Sequence, residues 1–414
     1  MSWIKTYCRN WNLNDYSLSF IILTSLIFKP LAPLGFIVWG LTIWFNKTKY
    51  PSERKGKFIP SIEFWFLMYY LLLLVGMIWT ENSEFGISKL ENKLSFLVFP
   101  ILFIFSKLTL SKKNIIDLFI SGLLISMVIH LGIAVFKSIY YPEDNHWGYF
   151  IDSQFTVVMH RSYFSAYLVM GSMICLYRLF NRQKLDYNVL LFVLFAIGSF
   201  QTLSKAGIVT FCVLFPSILF LSLLKWKKWK ILVSSFVFLF LGSIFILSSD
   251  NILIKRFKKI PEAFENIQFE NNTSVESNTS RLLMWNTSWE LIKENSLIGT
   301  GTGDYDDALH EKNMSLGNTG VGNKHFNSHN QFLNTTVQLG VLGLFVLVAL
   351  FAYAIRYSVN NRLMSSMIIT LCFLLNFLFE SFLETQAGIV LFCVLLISLI
   401  SEKLNTKSNE IEYL

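Results

Sequence analysis

The sequence predicts an all-α polytopic membrane protein, and three observations carry that expectation. Of 414 residues, 53% are hydrophobic and 15% charged, with a mean hydropathy of +0.50, so a soluble domain would lack the polar surface to cover itself. Apolar stretches long enough to cross ~30 Å of hydrocarbon recur along the whole chain. Short basic or polar links separate them, the pattern of a helical bundle rather than of a barrel of alternating strands.

Helices are expected at 17–29, 31–45, 61–80, 86–106, 114–140, 162–180, 187–204, 207–224, 231–248, 329–356, 362–380 and 386–401, about twelve spans. The chain thus divides into nine transmembrane helices in 1–248, a large loop at 249–328, three more helices in 329–401 and a tail at 402–414. The N-terminal MSWIKTYCRNWNLNDYS has no compact apolar core before a small-residue cleavage site, so the first helix is expected to insert and stay. Orientation follows from the links after every second run: Lys47, Lys49, Arg54, Lys55 and Lys57; Lys107, Lys112 and Lys113; Arg178, Arg182 and Lys184; Lys225, Lys227, Lys228 and Lys230; Arg356 and Arg362; Lys403 and Lys407. Cations accumulate on the cytoplasmic side, which places both termini there and the large loop outside.

The net charge of +8 lies mainly in those links, where it orients helices, so no nucleic-acid partner is expected and the surrounding partner is lipid. Of the five cysteines, four fall inside apolar runs and none forms a C-x-x-C pair, which argues against a disulfide framework or a metal knuckle.

The outer face gathers the chemistry. In the large loop, FENIQFENNTSVESNTS is polar and expected to be mobile. Leu282, Trp285, Trp289 and Ile292 then recur like one face of an amphipathic helix, suited to lie on the outer leaflet or cap a cavity. The glycine run at 299–303 has no preceding strand and no following G-K-[ST], so it reads as a flexible turn rather than a nucleotide loop. Residues 325–334, HFNSHNQFLN, place two histidines and three asparagines at the mouth of an apolar run. Ser328 is the expected N-cap there, with His329 opening the helix and Asn330 in its first turn. A histidine at a helix N-terminus stays neutral and basic, able to take a proton near neutral pH. His325 and His329 have zinc-like i, i+4 spacing, but no Glu stands between them and no third ligand is evident, so no metal is expected.

Cations on this face need anions nearby. Lys205, in Q-T-L-S-K-A-G, sits in a very short link and suits either an ion pair with Glu380 or Glu384 or a diphosphate-bearing lipid. Arg281 opens R-L-L-M-W and is either a solvated loop arginine or a fork for phosphate oxygens. Arg161, beside His160, reads as an interfacial anchor or a further phosphate contact, and Glu380 closes its helix on the same face.

These motifs together resemble the O-antigen ligase family, which includes repeat-unit polymerases and protein O-oligosaccharyltransferases. The likeness is carried by S-K-A-G at 204–207, by R-L-L-M-W followed by I-G-T-G-T-G, by S-H-N-Q-F-L-N with G-V-L-G-L, and by F-E-S-F-L-E-T-Q-A-G. It implies a glycosyltransferase of the bacterial inner membrane, working on the periplasmic side without metal, cofactor or nucleotide sugar. The implied donor is a glycan on undecaprenyl diphosphate, and the implied acceptor is lipid A-core, a growing glycan chain or a protein. By the same resemblance His329 is the base for the acceptor hydroxyl, and Lys205 and Arg281 hold the diphosphate; from its place on the same face Arg161 is expected to bind the diphosphate as well, with Asn330 and Glu380 in support. The family shows S-R-G or S-R-A where this chain has Ser204-Lys205-Ala206, which keeps the charge but gives up the bidentate fork. A polysaccharide flippase is the rival from another class, and it would place ionisable groups near the midplane.

Overall fold

The computed structural model describes residues 11–45, 61–141, 146–182, 185–225, 252–265 and 267–404. Among these residues the protein is all helical, without a strand. The N-terminal part contains α1 (Leu13–Ile27), α2 (Ala32–Phe45), α3 (Ile62–Gly76), α4 (Ser83–Asn92), α5 (Ser95–Phe105) and α6 (Lys112–Tyr140). Beyond a short turn, α7 (Asp152–Phe155), come α8 (Arg161–Arg182), α9 (Tyr187–Gln201) and α10 (Lys205–Lys225). The large loop contributes α11 (Ile252–Glu265), α12 (Ser277–Glu294), α13 (Tyr305–Ser315) and α14 (Thr319–Gly322), and three further helices follow, α15 (Gln331–Asn360), α16 (Met364–Phe377) and α17 (Gln386–Ile400). The expected span at 231–248 lies outside the described residues.

Side-chain caps start several of these helices where the sequence turns from polar to apolar. Asn12 and Asp15 form a reciprocal capping box, Ser111 and Asn114 another, and Ser61 caps Phe64 N–H. Among the described residues four helices, α6, α8, α10 and α15, are long and apolar enough to cross a bilayer, with shorter apolar helices packed among them. On α15 the apolar side chains Val341, Leu342, Phe345 and Val348 are exposed, as are Val128 and Ile139 on α6. Apolar surface of that extent on long helices is stable against hydrocarbon and costly against water. The protein is a helical membrane protein.

The bundle centres on α8 and α17. All residues of α17 from Ala387 to Ile400 are buried, and Phe66, Phe96, Phe373 and Phe377 stack around Phe392 or each other in the same core. A smaller core of Leu283, Met284, Leu291, Tyr305, Leu309 and Val321 forms in the large loop and docks on Val337 of α15.

Several expectations need correction here. The run 86–106 is not one helix: α4 stops and α5 restarts across a tightened turn at Lys93–Leu94, where Phe96 N–H bonds Lys93 O at 2.9 Å. Residues 83–93 carry Glu84, Lys89, Glu91 and Lys93, and the two lysines take polar partners, Lys89 with Asp306 of the large loop and Lys93 with Glu384, rather than hydrocarbon. Beside the face of Leu282, Trp285, Trp289 and Ile292, which is half-buried to exposed, α12 has a buried stripe of Leu283, Met284, Thr287, Ser288 and Leu291. Thr287 and Ser288 can be buried because Asn313 Oδ1 accepts from Thr287 at 2.8 Å and the Ser288 and Ser328 hydroxyls lie 2.8 Å apart. The Asn-rich stretch before α12 is anchored: Asn271 N–H bonds Leu316 O at 2.8 Å, and Asn272 N–H bonds Asn318 Oδ1 at 3.1 Å.

The glycine run is likewise a clasp rather than a flexible turn. Gly340 breaks α15 with φ 65° and ψ −164°, which strips the Val337 and Gln338 carbonyls of their helical donors. Thr300 N–H and Gly301 N–H fill those places at 2.8 and 3.1 Å, and Val341 N–H returns a bond to Ser296 O at 2.9 Å.

Candidate functional site

The expected site residues converge at one end of the bundle. Thr202 and Leu203, the latter at φ 50°, turn the chain sharply from α9 into α10. Ser204 caps the new helix, its Oγ accepting from Gly207 N–H at 3.3 Å. Any side chain at Gly207 would strike Ser165 of α8, so this glycine lets α10 close on α8 and sets Lys205 beside Arg161 and Ser162. The S-K-A-G motif therefore has a geometric meaning: a cap, a cation and a close-contact glycine.

Lys205, Arg161 and Arg281 line one cleft of ≈ 360 Å³ with Lys259, Glu276 and Glu380, and the hydroxyls of Ser162, Ser204 and Ser277 complete its polar wall. Four cations thus face two carboxylates, leaving the cleft with a net positive charge suited to an anionic ligand. Glu276 is partly committed already, since its Oε2 caps α12 by accepting from Asn278 N–H at 2.6 Å and Thr279 N–H at 3.1 Å.

Lys205 donates to Asn278 Oδ1. Of the two carboxylates the sequence offers it, Glu380 takes Arg281 as its cation and Glu384 takes Lys89 and Lys93. Arg161 Nη1 bonds Asp152 Oδ1 at 2.5 Å. Arg281 is held on both sides, by the Ser277 hydroxyl at 2.6 Å and by Glu380 Oε1 at 2.7 Å.

His329 lies just ahead of α15, in the left-handed region at φ 45°, and it does not open the helix. Asn330 is the N-cap, its Oδ1 accepting from Phe332 N–H and Leu333 N–H at 2.9 and 3.1 Å, whereas Ser328 is fully buried against Ser288. Asn330 also donates to Leu378 O at 3.1 Å and so ties the start of α15 to the end of α16. The strained backbone turns the His329 ring toward Glu380, with Nδ1 3.7 Å from Oε2, an ion-pair distance rather than a formed hydrogen bond. His325 goes elsewhere and stacks on His310 with centroids 4.4 Å apart.

Glu380, just past the end of α16, is the junction of these groups. Burial acts to raise its carboxyl, but the adjacent His329, the Arg281 guanidinium and the Ser162 hydroxyl, which donates at 3.0 Å, hold it down at about 2. It is therefore ionised at neutral pH, with Nδ1 of His329 facing it.

Two features were not legible in the sequence as site components. Lys259 is one of four cations in I-L-I-K-R-F-K-K-I, and nothing in that run marks the one that reaches the cleft. Glu276 is one of many polar residues in its loop.

The O-antigen ligase family model matches residues 190–348, which include Lys205, Lys259, Arg281, His329 and the Gly340 break. Residues 190–348 are thus similar to the O-antigen ligase domain. Arg161 and Glu380 lie outside the matched segment, yet the fold brings them to the same cleft. An uncharacterized protein of Haemophilus influenzae is 23% identical over 324 residues, covering 76% of this chain and 75% of that protein.

Proposed function

We propose that this O-antigen ligase-like chain is a membrane glycosyltransferase that moves a glycan from undecaprenyl diphosphate to an acceptor hydroxyl on the periplasmic face. One observation carries the reading: four cations and Glu380 line a single cleft, and that ionised carboxylate in turn stands 3.7 Å from Nδ1 of His329. In the proposed step the acceptor hydroxyl gives its proton to Nε2 of His329 while its oxygen bonds to the anomeric carbon. The bond from that carbon to the diphosphate oxygen breaks, and the leaving diphosphate takes the electron pair and meets Arg161, Lys205, Lys259 and Arg281. Glu380 stabilises the imidazolium as it forms, and solvent receives the proton afterwards.

A transporter would need ionisable groups midway along its spans. Here the two cleft cations on helices long enough to span stand at their ends, Arg161 opening α8 and Lys205 opening α10, which favours surface chemistry over translocation. The acceptor is lipid A-core in our preferred reading, with a growing repeat-unit chain or a protein as the alternatives. Purified protein given an undecaprenyl-diphosphate-linked glycan and each acceptor in turn should release undecaprenyl diphosphate with one of them. No release with any acceptor would overturn the proposal. Disruption of the gene, read on a glycan gel, separates the acceptors: loss of all long glycan from surface lipid, a single-repeat band, or loss from glycoproteins alone.

A further inference from the structure

Glu384 lies four residues beyond Glu380 and takes no part in the chemistry above, yet its carboxylate is saturated. Oε1 accepts from Lys93 Nζ at 2.8 Å and Asn334 Nδ2 at 3.0 Å; Oε2 accepts from Lys89 Nζ at 2.9 Å and Tyr305 OH at 3.0 Å. Two contacts per oxygen match its lone pairs. The donors come from three parts of the chain that are distant in sequence: α4 and its terminal turn, the first turns of α15, and the start of α13 in the outer loop. Asp306 adds a second carboxylate 3.3 Å from Lys89 Nζ, so the cluster is balanced, two positive against two negative. Lys93 is 1% exposed in its side chain, and its ammonium also donates to Gln338 Oε1 at 3.1 Å. A buried cluster this complete is rigid, because losing one partner strands the others.

Its reach to the cleft is direct on both sides. Asn334 is one turn beyond Asn330, so Glu384 holds the stretch of α15 that follows His329. Through the chain it holds the segment that carries Glu380, and Gln331 Oε1 reinforces this by accepting from Leu383 N–H at 2.7 Å. We infer that Glu384 is a positioning residue for glycan transfer, bridging the His329 and Glu380 sides of the site and setting their separation by anchoring both to the outer loop and α4. This rests on the reading of His329 as the base and Glu380 as its partner.

The test uses two variants of the full-length protein in detergent. Lys93→Met with Glu384→Leu removes one charge of each sign and leaves the Lys89–Asp306 pair. Asn334→Ala cuts the direct bond from Glu384 to α15 and leaves every charge, the Gln331–Leu383 bond and the Lys93–Gln338 bond in place. For each, kcat and donor KM are measured with a lipid-diphosphate-linked glycan and saturating acceptor, next to a thermal unfolding curve. Both variants should keep donor KM within about twofold and lose roughly 10- to 100-fold in kcat, the cost of slight misplacement of reacting groups. Glu384→Asp, one methylene shorter with the charge kept, should recover part of that loss. Wild-type kcat in the folded double variant would overturn the inference; if the double variant does not fold, wild-type kcat in Asn334→Ala would do so. His329→Ala separates the two failures: full activity there removes the base reading itself, whereas an inactive His329→Ala beside an active Asn334→Ala removes only the role of Glu384.

Discussion

Glu380 joins Arg281, Ser162 and His329, so its charge state governs more than its own contacts. Its carboxyl sits near 2 in the folded protein against about 4.3 in an unfolded chain. The folded state therefore binds fewer protons, and the stability Glu380 contributes is complete above about 4.3 and lost as pH falls toward 2. Glu384 is held down at about 2 by Lys93 and Lys89 against the upward effect of burial, and it acts in the same window. Thermal unfolding in detergent should show a steep fall below about pH 4.5. Glu380→Gln should be less stable at neutral pH and show a shallower acid fall, because one of the two carboxylates no longer titrates. An unchanged acid limb in that variant would show that Glu380 is not held ionised. The two histidines separate cleanly at the same scale. General-base catalysis is worth about 10²–10⁴-fold, so His329→Ala should lose that much in kcat with donor KM retained. His325→Ala, which gives up only its stacking on His310, should keep most activity. Equal losses in both would point instead to a shared site.

Among the elements, the break in α15 links loop to bundle. A Cβ on Gly340 would collide with the Leu297 carbonyl, and one on Gly299 would come within 2.6 Å of the Gln338 backbone. Both glycines have positive φ, 65° and 73°, so alanine at either adds backbone strain of about 1–2 kcal/mol before the collision is counted. Gly340→Ala should lower the melting temperature and open the 295–303 segment to limited proteolysis. Gly132→Ala, which meets nothing within 4 Å, should change neither. Intact proteolytic resistance in Gly340→Ala would mean the clasp does not depend on the break. The clasp also shows what a sequence can and cannot reveal. Continuous apolar runs such as 114–140 and 162–180 announce helices α6 and α8, because a span of that length has no other way to bury its backbone. The role of Gly299 and Gly340 depends on two segments about forty residues apart meeting, and no local pattern encodes that. The buried face of α12 is hidden for a related reason: Thr287 and Ser288 look solvent-facing until Asn313 and Ser328 are brought to them. In the site, Lys205, Arg281 and His329 are readable from their motifs, whereas Lys89 and Lys93 are separated from Glu384 by almost 300 residues, and only the fold shows the pairing.

For the whole molecule, two polar ends lie on opposite sides of an apolar middle, and they differ in kind. The cleft end brings together the starts of α8, α10 and α15 with the end of α16. The other end is sealed by short pairs: Ser401 Oγ to Glu63 at 2.7 Å, Lys112 Nζ to Tyr357 OH at 3.1 Å, and Arg178 to Asp117 at 2.6 Å. Several of the basic links, including Lys112, Lys113, Arg178, Arg182 and Arg362, lie at this sealed end by their places at the start of α6, the end of α8 and the turn after α15. Cations concentrate on the cytoplasmic side, so we expect the sealed end inside and the cleft outside, where a lipid-linked glycan would meet its acceptor. Single cysteines in a cysteine-free background test this without touching the site. Ser315→Cys lies at the exposed end of α13 and Lys113→Cys at the exposed start of α6. A membrane-impermeant maleimide applied to intact spheroplasts should label Ser315→Cys at once and Lys113→Cys only after lysis. The reverse pattern would put the cleft in the cytoplasm, where a periplasmic transferase could not work, and the proposed reaction would fall with the orientation.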